Sequence, residues 1–199
     1  MKQPTATFVA GPNGAGKSTL TAGNLDFFSL FPLLDPDVLA NPIQADNKNK
    51  HPLAAGREVL DQIEENLRKS NSFAVETTLS GKTYLQTMLD ARRLGFKVAL
   101  IYVGTASAEL NLQRVADRVT LGGHGVPEDD IRRRYKRSLD NLLIAVPRAD
   151  LTILFDNSRP IAEGISGHAY DLVGVVENGA AYWVDPTPGW AVPLRASFE

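Results

Sequence analysis

Nine residues near the start of the chain, Gly11-Pro12-Asn13-Gly14-Ala15-Gly16-Lys17-Ser18-Thr19, satisfy the pattern G-x-x-x-x-G-K-S/T without a mismatch. Glycines at these spacings let backbone N–H groups turn inward around a polyanion, and a helix that follows adds its positive end. A lysine placed like Lys17 can reach β- and γ-phosphates, and a hydroxyl placed like Ser18 can ligate Mg²⁺. The expected cofactors are therefore ATP and Mg²⁺, cradled by Gly11 to Thr19. The context supports this: the apolar run Thr5 to Ala10 reads as a strand feeding the loop, with a helix after it.

The loop does not say which kind of machine uses the ATP. Leu79-Ser80-Gly81-Lys82 has the look of a transporter-ATPase signature, but it lacks the second glycine and the glutamine, and the chain is too short for the helical subdomain that carries it. An acid at the end of an apolar strand, the Walker B pattern, occurs at Leu151 to Asp156 with no adjacent glutamate. Hydrolytic ATPases need a group that orients water, and none stands out.

A kinase needs a base at the acceptor hydroxyl, cations on the transferring phosphoryl group and a lid against water. Asp37 follows the second strand, at the end of the sheet where the phosphate loop also lies, and is the candidate base; capping the next helix is the plainer role. Asp35, before Pro36, reads better as a turn residue. Glu76 ends the third strand on the same rim, beside Thr77 and Thr78, where a carboxylate can hold sugar hydroxyls or a Mg²⁺-bound water; a helix cap is its plainer role. Arg114 and Arg118 lie four apart, just before the Gly122-Gly123 break, where a lid arginine would reach the phosphates. The run Arg132 to Arg137 reads as a solvated face, with Arg134 as the member that turns inward.

The elements that must position these residues alternate. Strands are expected at Thr5–Ala10, Phe31–Leu34, Ser72–Val75, Lys97–Val103 and Leu151–Phe155. Helices are expected over Pro52–Arg68, over the stripe Tyr84, Leu85, Met88 and Leu89 that Gly95 stops, from Ser107 into Arg118, and from Pro127 onward. Residues Asn41 to Lys50 read as an exposed loop or frayed helix. Alternation of this kind implies an α/β fold, a P-loop NTPase with a mainly parallel five-stranded sheet and helices on both faces. After it, Leu172–Val176 and Ala181–Val184 flank Asn178-Gly179, a hairpin signal. We read residues 1–199 as a single domain, with a core over 1–158 and an extension over 159–199.

Composition narrows the classes. With 21 Lys+Arg against 23 Asp+Glu, the net charge is -2, so no global field draws the chain to nucleic acid or to a membrane. Absence of cysteine excludes disulfides and thiolate metal sites and fits a reducing compartment. No apolar run approaches the roughly 18 residues of a membrane span, and a cytoplasmic location is the default expectation.

With these motifs in place the chain resembles the zeta-toxin family of P-loop kinases, in a short stand-alone form, from about Phe8 to Ser158. The resemblance rests on GPNGAGKST, on D-P-D at Asp35 to Asp37, AGRE at Ala55 to Glu58 and SFAVETTLSG at Ser72 to Gly81. It continues through RVADRV at Arg114 to Val119, GGHGVPEDDIRRRYKRSLDNL at Gly122 to Leu142, and DNS at Asp156 to Ser158. It implies a nucleotide-kinase-like fold and phosphorylation of a hydroxyl on a small metabolite, with UDP-N-acetylglucosamine the acceptor of its best-known members. It also implies a small helical antitoxin as partner. In that frame Asp37 matches the catalytic base, Lys17 and Ser18 serve ATP·Mg²⁺, Glu76 matches the carboxylate after the third strand, and Arg118 matches the first lid arginine. Arg57, Glu76, Thr77, Thr78 and Arg134 are the candidate substrate contacts. The chain departs from the family at His124, where the longer toxins have a second lid arginine. It departs again near Leu60, where they place a sugar-holding carboxylate; Arg57 and Glu58 lie one turn earlier. Two other readings stay open, a polynucleotide 5′-kinase and a non-catalytic ATP-binding regulatory module. Asp37 separates the last from a kinase, since a switch has no use for a base.

Overall fold

The computed structural model describes residues 3–35, 52–159 and 170–199. Their strands assemble into one seven-stranded sheet in the order β2-β3-β1-β4-β5-β6-β7. Strands β1 (Thr5–Ala10), β2 (Leu33–Leu34), β3 (Phe73–Thr77), β4 (Lys97–Gly104) and β5 (Leu151–Asp156) run parallel; β6 (Asp171–Glu177) and β7 (Ala180–Trp183) add on antiparallel. The hairpin thus extends the five-stranded sheet rather than standing apart from it. Its turn residues Asn178 and Gly179 both have positive φ, 49° and 84°, which matches the right-handed twist of the strands they join. No helix among the described residues is long and apolar enough to cross a membrane.

The helices are α1 (Lys17–Gly23), α2 (Leu25–Phe28), α3 (Pro52–Lys69), α4 (Thr83–Arg93), α5 (Ala108–Thr120), α6 (Glu128–Ala145) and α7 (Val192–Ala196). Successive side chains of a strand face opposite ways, so β1 sends Ala6, Phe8 and Ala10 to one core and Val9 to another. The larger core packs Phe8, Phe73, Leu100 and Leu154 against Val59 and Ile63 of α3, Met88 of α4 and Leu142 of α6. The smaller one joins Val9, Ala74 and Val103 to Ala15, Leu20 of α1 and Phe28 of α2. Strands β1 and β3, flanked on both edges and covered on both faces, are buried almost throughout, which is why they read as unbroken apolar runs.

The second strand is shorter than Phe31–Leu34. Phe31 instead joins Phe27 and Phe28 in an edge-on aromatic group, with centroids 5.4 and 6.4 Å away. Pro32 has no N–H to give the ladder, and its carbonyl accepts from Ala74 at 2.8 Å.

Candidate functional site

The carboxyl ends of the parallel strands form the rim where α/β sheets bind ligands, and the phosphate loop leaves β1 at the middle of that rim. Gly11 sits at φ 144°, pressed so close to β4 that any side chain would strike the Val103 carbonyl. The loop then tightens as the Ala15 N–H reaches the Pro12 carbonyl at 3.2 Å, and Gly16, at φ 97°, opens α1. Lys17 donates from Nζ to the Pro12 carbonyl at 3.2 Å, folding back over the loop.

Beside the loop stands Glu76. Register pairs it with Val9 of β1, which places its buried carboxylate under the first turn of α1. Ser18 donates to Glu76 Oε2 at 2.8 Å and Thr21, three residues on and on the same helix face, to Oε1 at 2.6 Å. A hydroxyl and a carboxylate are the hard oxygen donors Mg²⁺ prefers. Among the described residues no group of three or more His, Cys, Asp and Glu side chains could hold a metal alone. Mg²⁺ usually keeps waters and shares a substrate's phosphates, so a hydroxyl and one carboxylate are a donor set it can use.

Past Glu76 the chain makes a strained turn. Leu79, fully buried, has φ 54°, a costly conformation for a residue with a side chain. Its N–H donates to Thr77 Oγ1 at 3.0 Å and its carbonyl accepts from Asn141 Nδ2 at 2.7 Å. Thr78 pairs with the Ser80 hydroxyl at 2.9 Å. Thr77 and Thr78 are thus occupied in shaping the turn that follows Glu76, and the Leu79-Ser80-Gly81 segment is that turn.

The cations are distributed unevenly. Arg118 is exposed and donates to the His124 carbonyl at 2.6 Å, within its own loop. Arg114, one turn earlier, is half-buried; burial pulls its pKa down while Tyr170 and Asp156 oppose the shift, and its Nη1 has no hydrogen-bond partner among the described residues. Arg134 approaches the loop, 3.5 Å from Asn13 Oδ1, while its other nitrogen lies 3.4 Å from Asp130. Its neighbours are held on the surface: Arg132 by Glu109, Arg133 by Asp130 and Lys136 by Asp140. Arg57 is exposed on α3. Asp35 is buried near Tyr84, whose phenol burial, and secondarily that carboxylate, push up to about 12. Asp37 and the segment Asn41 to Lys50 lie outside the described residues.

Three contributors are given no role by the sequence, although Asn157 lies within the Asp156 to Ser158 match. Thr21 looks like any helical residue. Asn157, just past β5, donates from Nδ2 to the Ala15 carbonyl at 2.9 Å, and Tyr170, just before β6, donates to the Gly16 carbonyl at 2.7 Å. Burial pushes the Tyr170 phenol up to about 12, even against the pull of Arg114. Asp156, the acid of the Walker B pattern, is spent elsewhere: it accepts from Trp190 Nε1 and from the Ser158 hydroxyl, both at 2.7 Å. The carboxylate that meets the phosphate loop comes from β3.

No family model matches the chain. An uncharacterized protein of Haemophilus influenzae is 37% identical over 133 residues, which is 67% of this chain and 94% of that one. Among solved structures, the AvrRxo1-ORF1:ORF2 complex superposes with a TM-score of 0.68 at 18% identity, over 94% of this chain and 65% of that chain. Another structure of that complex was solved with ATP. The PezAT chromosomal toxin–antitoxin system of Streptococcus pneumoniae gives a TM-score of 0.56 at 17% identity, over 84% and 75% of the two chains. A candidate kinase of Chloroflexus aurantiacus gives 0.58 at 17%, over 83% and 93%. The chain spans about two thirds of the AvrRxo1 chain it matches. The chain shares its fold with these toxin–antitoxin and kinase structures.

Proposed function

We propose, for a chain that belongs to one family with the Haemophilus influenzae protein and carries the zeta-toxin-like P-loop kinase fold, an ATP-dependent phosphotransfer to a hydroxyl of a small metabolite. The observation that carries this reading is the pairing of Ser18 with the buried Glu76 at 2.8 Å, directly beside the phosphate loop. In this reading the loop N–H groups and Lys17 hold the triphosphate, and Ser18, with Glu76 behind it, holds Mg²⁺. Mg²⁺ supplies charge neutralisation on the phosphates when bound. Asp37 accepts the proton of the acceptor hydroxyl, and the arginines of the lid balance the charge that develops in the transition state.

UDP-N-acetylglucosamine is the candidate acceptor, on the strength of the zeta-toxin resemblance. Arg57, Glu76, Thr77, Thr78 and Arg134 are its candidate contacts, and a small helical antitoxin is the candidate partner, since the PezAT system is a toxin–antitoxin pair. A polynucleotide acceptor is less favoured, because Arg132, Arg133 and Lys136 are already paired with acidic neighbours. Incubating the protein with Mg²⁺, ATP and UDP-N-acetylglucosamine, then a whole metabolite extract, tests the reading by mass spectrometry. A sugar nucleotide gaining one phosphate is the expected product. ATP loss to free phosphate, with no acceptor modified in either mixture, would contradict a kinase.

A further inference from the structure

We propose that Asn157 and Tyr170 act as a two-point clamp on the phosphate loop, positioning residues of which the second, Tyr170, brings the C-terminal extension to the nucleotide site. The inference rests on the phosphate-loop reading above.

In a planar trans peptide the C=O and N–H point opposite ways. Holding a carbonyl on one side of the loop therefore aims the N–H of the same peptide unit to the other. The Ala15 carbonyl is held by Asn157 at 2.9 Å, which sets the Gly16 N–H. The Gly16 carbonyl is held by Tyr170 at 2.7 Å, which sets the Lys17 N–H, while Leu20 occupies its second lone pair at 3.0 Å. Two consecutive peptide units are thus fixed from behind, in a glycine-rich stretch whose backbone would otherwise sample many orientations.

Gly16 shows how closely the clamp fits. A Cβ there would lie 2.5 Å from Asn157 Nδ2 and 3.1 Å from the Tyr170 hydroxyl. Glycine is needed at this position both for its φ of 97° and to let the two side chains in. The anchors themselves ride on the sheet. The Asn157 N–H donates to the Gly104 carbonyl at 2.9 Å, and the Tyr170 ring packs edge-on against Phe155 with centroids 6.2 Å apart. Side chains locked this way hold a site more narrowly than loop residues do, and a loop ordered beforehand loses less entropy when an anion binds.

The test titrates Mg·ATP and, separately, inorganic tripolyphosphate with Mg²⁺ into the full chain, and records the nucleotide-free melting temperature of each variant. Tyr170→Phe removes one hydroxyl and keeps the ring, so it carries the test should Asn157→Ala fold poorly. Each single change is expected to weaken both ligands roughly five- to tenfold, about what one hydrogen bond contributes, with the melting temperature nearly unchanged. Because tripolyphosphate has no base or sugar, an equal loss on both ligands assigns the effect to the phosphate loop. Leu194→Ala, which opens a gap in the core packing of the extension without touching the loop or its two anchors, is expected to lower the melting temperature and leave both affinities alone. Unchanged affinities in Tyr170→Phe and Asn157→Ala, beside a Lys17→Ala variant that binds neither ligand, would overturn the clamp alone. So would losses that simply follow the melting temperature. Wild-type protein that binds neither ligand would overturn the phosphate-loop reading, and the clamp with it.

Discussion

The phosphate loop and the segment Arg118 to His124, the proposed lid, are held in opposite ways. Around Gly11 to Thr19, side chains arrive from three distant parts of the chain: Glu76 from β3, and Asn157 and Tyr170 from either side of the β5–β6 connection. The proposed lid is held by itself. Arg118 donates to the His124 carbonyl, the Gly123 N–H returns to the Arg118 carbonyl at 2.9 Å, and Leu121 is 88% exposed. Long-range bonds tie the loop's geometry to the global fold, whereas short-range bonds can break and re-form without disturbing it. A phosphotransferase uses both properties: a preset anion cradle, and a cover that closes only when the acceptor is in place.

The first way to break this comparison is at the cradle. Lys17→Ala is expected to abolish the rise in melting temperature that ATP and Mg²⁺ give together, since that rise reflects ligand bound only by the folded state. A persisting rise would remove the loop from the nucleotide site. The lid offers a different signature. Arg118→Ala is expected to leave ATP affinity nearly intact and to lower turnover by roughly 10²-fold, the pattern of a group that acts on the transition state. His124→Ala is expected to do less, and a fully active Arg118→Ala enzyme would move the role to Arg114 or Arg134. The smallest expected effect is at the carboxylate behind the proposed metal site. Glu76→Gln keeps the shape but removes the charge, and is expected to raise the Mg²⁺ concentration needed for half-maximal ATP binding by roughly tenfold or more. An unchanged Mg²⁺ requirement would leave Glu76 as a structural partner of Ser18 and Thr21.

Much of the cradle could be read from the sequence because its chemistry is contiguous: nine residues, their feeding strand and their helix carry the loop. Glu76 was legible for a similar reason, as a carboxylate closing an apolar run. The hairpin announced itself through Asn178-Gly179, although its pairing to the edge of the parallel sheet did not, because antiparallel register to β5 is a long-range fact. The clamp was hidden for the same reason. Asn157 and Tyr170 lie 142 and 154 residues from the carbonyls they hold, and no periodicity marks them. Asp156 shows the reverse case. Its strand-end position mimics a metal-site acid, but the Trp190 indole, reached only through the folding of the extension, takes its carboxylate. Phe31 was drawn from its expected strand by Phe27 and Phe28, aromatic partners that local strand propensity does not weigh.

The central claim is that this rim transfers a phosphoryl group rather than merely binding ATP, and Asp37 is where it is most exposed to disproof. The measurement is single-turnover transfer from radiolabelled ATP to the acceptor, UDP-N-acetylglucosamine or whichever metabolite gains phosphate, run beside an ATP-binding titration for wild type and Asp37→Asn. Asparagine keeps the size and polarity of the side chain and removes the base. Binding is expected to survive, since Lys17 and the loop N–H groups provide it independently, while transfer falls by roughly 10²- to 10⁴-fold. Transfer at the wild-type rate would contradict the account and leave Asp37 a helix cap; loss of ATP binding would place it in the nucleotide site instead.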